Sequence, residues 1–440
     1  MRFYVHKLGC PKNDVDGDYI SACLIDTGYE PVDNPEEAES IIVNTCGFIL
    51  PAKEESIDEI LRLGQLKKEG RLKRLYVTGC LSQRYGDQLL AEIPELDGTF
   101  GLGALDPLAR AVSSSSKERK SIRTESNRLD YLSWHHRFIA DDYPYAYLKI
   151  SDGCNRGCSF CAIPDIRGRF RSRPIDAIVE EAEFLASQGK KELILVSQEA
   201  TLYGYDLKCR VTILDLLREL EKIERVRWIR LMYLYPSQLM KEVIEYLADD
   251  NKTLNYFDLP LQHANSEILL AMGRQMDRDG IDRLIKAIRT ISPDAVLRTV
   301  FIVGFPRETA EQFEELKDFV AESQFDRMGV FTYSREEGTP AATLGGQIAE
   351  EVKASRMDEL MSLQQGVAFA KNESLIGSIQ EVIIDSVEDD RTAVGRTRGD
   401  CPEIDQEVHV SGDGLRRGDI IRVRVDAADG YDLIGTFFEA

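Results

Sequence analysis

The chain has 440 residues, 43% hydrophobic and 30% charged, which exceeds what one hydrophobic core sustains and predicts two to four globular domains rather than disorder. Its formal charge of −21 repels phosphate backbones and anionic membranes and attracts basic partners, so a nucleic-acid substrate is disfavoured. No apolar run approaches the roughly 20 residues that span a bilayer, and the N-terminus MRFYVHKLGC lacks a secretory pattern, so a cytoplasmic protein with no membrane partner is expected. In a reducing compartment nine cysteines are not a disulfide framework, and metal, catalysis or packing must account for them.

The first third repeats one pattern three times: a short β-prone run that ends in a cysteine beside a glycine. The runs are Arg2–Leu8 before Gly9-Cys10, Ser40–Thr45 before Cys46-Gly47, and Arg74–Thr78 before Gly79-Cys80. Helical stretches such as Ser56–Leu66 separate them, with apolar residues at helical spacing. Alternating strands and helices predict a parallel sheet covered on both faces, and ligands of such sheets gather beyond the carboxyl ends of the strands. Cys10, Cys46 and Cys80 are therefore expected to meet, and three cysteines at equivalent strand ends point to a shared metal.

The Ser-rich, charged stretch Ser113–Arg128 reads as a linker. Strands are predicted at Tyr145–Ile150, Glu192–Ser197, Val226–Tyr233, Asn255–Leu259, Val296–Val303 and Phe325–Tyr333, with helices at Ile175–Ser187 and Ile213–Ile223 among those between them. Such consecutive βα units make a full or partial barrel. After a helix over about Ala349–Phe369, short alternating strands with Gly-Asp turns read as a small barrel. The expectation is an α/β chain of three domains and a linker: an N-terminal parallel-sheet α/β domain (1–115), the linker (116–139), a central partial (β/α) barrel (140–370) and a C-terminal small antiparallel β-barrel (371–440).

The loop Cys154-Asn155-Arg156-Gly157-Cys158-Ser159-Phe160-Cys161 follows the first barrel strand. Three cysteines with no fourth donor nearby make a poor structural zinc site, which takes four protein ligands, but they suit a four-iron cluster with one iron left open. This spacing, with Phe160 before the last cysteine, resembles the radical S-adenosylmethionine superfamily. The resemblance implies a cluster on Cys154, Cys158 and Cys161 that reductively cleaves S-adenosylmethionine to a hydrogen-abstracting 5′-deoxyadenosyl radical. It also implies contacts to S-adenosylmethionine from Phe160, from Gln198 at the second strand end, and from Gly304 in Gly304-Phe305-Pro306, although relatives often carry glycine where this chain has Arg307. The run Arg167, Arg169, Arg171, Arg173 reads either as a partner for the methionine carboxylate or as a solvated basic face.

End to end, the chain resembles the methylthiotransferase family, in the segments Leu8–Asn13, Asn44–Phe48, Thr78–Leu81 and Cys154–Arg173. That implies a second [4Fe–4S] cluster on Cys10, Cys46 and Cys80, a radical core, a TRAM-type C-terminal barrel, and an electron donor such as a flavodoxin or ferredoxin. The runs Cys10–Asn13, Leu259–Ala264 and Ser334–Pro340 look like the branch that methylthiolates the β-carbon of an aspartate in small-subunit ribosomal protein number twelve. The alternatives are methylthiolation of a modified adenosine in tRNA and, from another class, a non-catalytic electron-transfer protein. Residues 371–440 carry 16 Asp+Glu against 8 Lys+Arg, a net of −8, which suits a basic protein substrate and makes tRNA unfavourable. No histidine is expected to be catalytic: His263 lies near a strand end, His135 and His136 in the linker and His6 in a strand. Cys23, Cys209 and Cys401 are expected to serve packing.

Overall fold

The computed structural model describes residues 1–114, 118–124, 137–249 and 251–438, so His135 and His136 lie outside the described residues. The N-terminal sheet contains β1 (Arg2–Lys7), β2 (Glu30–Pro31), β3 (Ser40–Thr45), β4 (Arg74–Gly79), β5 (Gly98–Phe100) and β6 (Lys120–Ile122). All pairs are parallel, in the order β2-β1-β3-β4-β5-β6. Its faces follow from the period of two: Ile41, Val43, Leu75 and Val77 pack towards α2 (Leu50–Lys68) and α3 (Cys80–Glu92), while Phe3, Ile42, Tyr76 and Phe100 pack towards α1 (Pro11–Asp26) and α4 (Leu105–Ser113). Strand β6 lies within the stretch expected to be linker. It adds to the sheet edge through Gly98↔Lys120 and Phe100↔Ile122, and three residues are too few to show an alternating pattern.

The central region contributes β7 (Tyr145–Lys149), a two-residue antiparallel pair β8 (Ser151–Asp152) and β9 (Arg171–Ser172), then β10 (Glu192–Val196), β11 (Trp228–Leu231), β12 (Tyr256–Gln262), β13 (Val296–Val303) and β14 (Arg327–Thr332). The six long strands form two parallel three-stranded sheets, β7-β10-β11 and β12-β13-β14, linked by the bridge Ile229↔Thr253. The result is an open barrel, as expected. Its outer side chains, among them Leu148, Leu193, Leu195 and Leu231, are covered by helices that include α6 (Ile175–Ser187) and α7 (Ile213–Glu221). Tyr147, Ile194, Trp228 and Tyr256 fill the inside. The short α5 (Ile163–Arg167) follows the cysteine loop, and α8 (Lys241–Ala248), α9 (Ser266–Ala271), α10 (Arg278–Ile291) and α11 (Ala310–Ser323) complete the units. Among the described residues no helix is long and apolar enough to cross a membrane.

Helix α12 (Glu350–Ser374) leads to a closed five-stranded barrel of β15 (Ile379–Val387), β16 (Thr392–Thr397), β17 (Val408–Ser411), β18 (Ile420–Asp429) and β19 (Asp432–Phe437), in the order β15-β16-β17-β19-β18. The expectation of a wholly antiparallel barrel is corrected at one pair, because β17 and β19 run parallel. An odd number of strands cannot close with every neighbour antiparallel. This barrel seats on the amino ends of the core strands through the ion pairs Arg396–Glu192 and Arg327–Asp400, with Asp385 of the same barrel holding Arg396 and Arg230 of the core also binding Glu192. Cys401, 1% exposed, packs with the core-barrel interior.

The N-terminal domain seats on the opposite end through α1, which carries charges where an ordinary amphipathic helix carries apolar residues. Asp16 pairs with Lys149 and Arg167, Asp18 with Arg137, and Tyr19 donates to Glu181, which also binds Arg137 and Arg173. All of these groups are buried. Replacing Glu181 by leucine leaves two guanidiniums without their shared carboxylate and should destabilise the protein by about 3–5 kcal/mol, read as a fall in the denaturant midpoint.

Candidate active site

Register aligns the carboxyl ends of β1, β3 and β4, with Lys7 opposite Asn44 and Thr45 opposite Gly79. Cys10 caps α1, Cys46 follows β3 and Cys80 opens α3, so the three cysteines rise from neighbouring loops at one sheet edge. Glycine lets these loops close up. A Cβ on Gly9 (φ +94°) would stand 2.6 Å from Cys46 Cβ, and one on Gly79 (φ +95°) would stand 2.5 Å from the Thr45 carbonyl. Asn13 ties the group together by donating to the carbonyls of Leu8 and Thr45, both at 2.9 Å, while its Oδ1 lies 3.8 Å from Cys80 Sγ.

The second triad sits on the loop between β8 and α5. Gly153 turns the chain at φ +78°, where a Cβ would collide with the Arg169 carbonyl at 2.2 Å. The loop is pinned by Cys154 N–H to Gly168 O (3.1 Å), Cys161 N–H to Cys158 O (3.1 Å) and Ser159 N–H to Met272 O (2.9 Å). Donors point at the sulfurs: Arg156 N–H at Cys154 (3.4 Å), Arg274 Nη1 at Cys158 (3.6 Å), and the backbones of Ile163 and Phe48 at Cys161 and Cys46. Such hydrogen bonds favour thiolate over thiol and tune sulfur-bound iron.

Burial acts in the other direction. It pushes the Cys154 thiol up to about 11, the Cys80 and Cys161 thiols up to about 12, and raises Cys46. A metal must therefore displace protons to bind. Among the described residues no three Cys, His, Asp or Glu donors stand close enough to share one ion. The ligands of a four-iron cube each bind a different iron and need not converge on one ion, and the free thiols on glycine-bearing loops with donors aimed at sulfur are of the right type for it.

From the N-terminal triad a hydrogen-bonded connection runs to the end of the helix that follows Cys161. Arg167, at the end of α5, donates to Asn13 Oδ1 at 2.7 Å and also binds Asp16 and Asp152. The arginine run is thus neither a solvated face nor free to meet a ligand as a group, since Arg167 and Arg173 are buried in ion pairs and Arg169 is exposed. Phe160 packs beside Ile268, Met272, Phe305 and Tyr333. Gln198 lies just past β10, and among the described residues both atoms of its buried amide lack a partner, as does the Ser197 hydroxyl, which leaves bonding capacity for a polar ligand. Gly304 (φ +74°) admits Lys353 of α12, whose Cγ would lie 2.3 Å from an added Cβ, and Arg307 holds φ +71°, a region that glycine occupies more readily.

Sequence reasoning missed a cluster on this rim. Arg156 binds Glu199 through two 2.5 Å hydrogen bonds, and the guanidiniums of Arg156 and Arg274 each lie 4.2 Å from the Tyr235 ring. Its members come from the cysteine loop, two strand ends and the turn after α9, and share no spacing along the chain. Cys23 is buried as expected, whereas Cys209 is exposed. His263 is fully buried, its Nδ1 accepting from Asn265 N–H at 2.9 Å.

The family described as "Radical SAM superfamily" matches residues 148–320, "Uncharacterized protein family UPF0004" matches 2–101, and "TRAM domain" matches 376–437. The ribosomal protein uS12 methylthiotransferase RimO of Aquifex aeolicus is 46% identical over 443 aligned residues, covering 100% of this chain and 98% of that one. That of Clostridioides difficile is 43% identical, covering 99% and 98%. This chain belongs to the RimO family. As a RimO-family member it is a radical S-adenosylmethionine enzyme and a methylthiotransferase. The fold is shared with the radical S-adenosylmethionine methyltransferase TsrM of Kitasatospora setae, at a TM-score of 0.55, 16% identity, and coverage of 86% of this chain and 80% of that one.

Desolvation, reinforced by Arg356, lowers the His263 pKa to about 3. In the folded state this residue resists a proton that the unfolded chain takes up below pH 6.5, so its contribution to stability is complete above that pH and falls progressively towards pH 3. A His263→Asn variant should flatten the loss of the urea midpoint between pH 6.5 and 4 relative to the wild type.

Proposed function

We propose that this chain is a cytoplasmic enzyme that replaces a hydrogen on the β-carbon of an aspartate in small-subunit ribosomal protein number twelve by a methylthio group. It uses S-adenosylmethionine, a [4Fe–4S] cluster on Cys154, Cys158 and Cys161, a second on Cys10, Cys46 and Cys80, and electrons from a donor such as a flavodoxin or ferredoxin. The observation that carries this reading is that the N-terminal thiol triad is joined through Asn13 and Arg167 to the helix that directly follows the second triad. The printed name of the relatives supports the substrate.

A carbon beside a carboxylate is too weak an acid for any side-chain base. When bound, the two clusters supply the one-electron cleavage of S-adenosylmethionine and an open iron at which sulfur is carried. The chain's own residues prepare for this: the glycine-bearing loops let the triads approach the cofactors, the donors at sulfur favour ionised thiols, and Phe160 with the unpaired amide of Gln198 offers an apolar wall and polar contacts for S-adenosylmethionine. The C-terminal barrel exposes Glu388, Asp389, Asp390, Glu407, Asp426 and Asp429, which supports a basic protein partner over tRNA. Asp385 is occupied by Arg396 of the same barrel, and Asp400 and Asp405 by core arginines and a tyrosine, so they lend no charge to that surface.

Anaerobically reconstituted protein should hold about eight irons, as two four-iron clusters. Changing Cys154, Cys158 and Cys161 to alanine should halve the iron and abolish 5′-deoxyadenosine, and retained cleavage would overturn the assignment. Changing Cys10, Cys46 and Cys80 should keep cleavage but remove the methylthio product, read by mass spectrometry of the ribosomal protein.

Removal of residues 371–440 would unroof the core-barrel interior that Cys401 covers, so surface charge is the cleaner test of docking. Replacing Glu388, Asp389 and Asp390 by lysine should slow association with the ribosomal protein at low ionic strength and flatten its salt dependence, because exposed charges are screened beyond about 8–10 Å near physiological salt. Tighter binding of tRNA by the wild type would favour the tRNA reading instead.

A further inference from the structure

We infer that Lys12 is the residue that receives the carboxylate of the substrate aspartate. The inference rests on the proposed function and adds a carboxylate subsite to it. Lys12 is 7% exposed. Its ammonium donates to the Ser197 carbonyl at 3.3 Å and stands 3.7 Å over the Tyr233 ring. Neither neighbour carries a negative charge, and among the described residues no carboxylate pairs with it; the acidic group that also acts on it is the Cys10 thiol, a cluster ligand under the proposed function. Every other buried lysine or arginine among the described residues is ion-paired, from Lys149 on Asp16 to Arg396 on Glu192 and Asp385. In a chain with 76 Asp+Glu against 55 Lys+Arg, a buried ammonium without a carboxylate partner does not reflect a shortage of acids.

The surroundings hold this charge rather than neutralise it. A carbonyl and an aromatic face offset only part of the desolvation of a buried cation. Tyr233 keeps its ring there at φ +62°, a left-handed conformation fixed by its N–H on Asp258 (2.9 Å) and its carbonyl on Ala200 N–H (3.0 Å). One residue along from Ser197, the Gln198 amide is buried with neither atom bonded. Lys12 follows Cys10 by two residues and touches the core strand end, so it stands on the seam between the triads, where the substrate carbon must come. An aspartate presents an anion one bond from its reacting β-carbon, and an adenosine presents none. The run Cys10–Asn13 is also among those that resemble the ribosomal-protein branch.

The test is competition between the ribosomal protein and its form with asparagine at the modified position, read as methylthio product and as binding to the reconstituted holoenzyme. The wild type should favour aspartate by about tenfold or more, the scale of a buried hydrogen bond to a charged group. Lys12→Met should bring the ratio close to one, and Lys12→Arg should recover part of it. A role confined to the nearby thiol triad would alter turnover but leave the ratio unchanged, and that result overturns the inference. So does a wild type without aspartate preference, a measurement that stands even if Lys12→Met does not fold. A wild type that binds neither form of the protein overturns the proposed function itself, which separates the two failures.

Discussion

Helix α1 docks on the core through ionised side chains that are removed from water, and the geometry of the whole site follows from how those charges pair. Asp16, Asp18 and Tyr19 on one side meet Lys149, Arg137, Arg167 and Glu181 on the other. Pairs of this kind add little net stability, because desolvation offsets most of their attraction. Their value is positional. A slip of one residue would strand several charges in a dry interface, so a single docking register survives. Cys10 caps this same helix and Arg167 ends the helix that follows Cys161, so the register that pairs the charges also sets the separation of the two triads.

A second contact on the far side of the barrel opening makes the placement two-point. Glu336, 1% exposed, binds Lys53 of α2 at 2.8 Å and Arg84 of α3 at 2.9 Å, and Leu50 N–H donates to Ser334. The N-terminal domain therefore spans from the first core strand to the segment after the last and roofs the mouth of an open barrel. The C-terminal barrel closes the other end. Strand β10 has five residues, so about 16 Å of strand separates floor from mouth. A partner that touches the acidic barrel and also offers a side chain to the site must reach around the core.

Charge is used in two ways in this molecule. Some of the acids are internal, where Asp16, Asp18, Glu181, Glu192, Asp385 and Asp400 pair with cations and leave no net charge. The remainder is superficial and governs encounter with partners. A net charge read from composition merges the two, and only burial separates them.

Much was legible in the sequence because it depends on local spacing. The C-x3-C-x2-C loop, the cysteine-glycine pairs at three strand ends, the βα alternation and the Gly-Asp turns of the last domain are short-range patterns, and each corresponds to an element of the fold. Strand β6 and the parallel β17–β19 pair were not, since one is too short for a period and the other follows from barrel closure. Helix α1 hid its importance for a related reason: Lys12, Asp16 and Asp18 look like a solvated helix face, and only the partners contributed by distant segments make them interior. The same holds for Arg167 and Arg173, for Glu199 with Arg156, and for the solitary charge of Lys12. The sequence by itself determined which chemistry the cysteines are suited to and the order of the parts. The tertiary structure alone decided which buried charges are paired and which buried cation, among the described residues, has no carboxylate partner, because pairing is a property of surfaces brought together by folding and leaves no period along the chain.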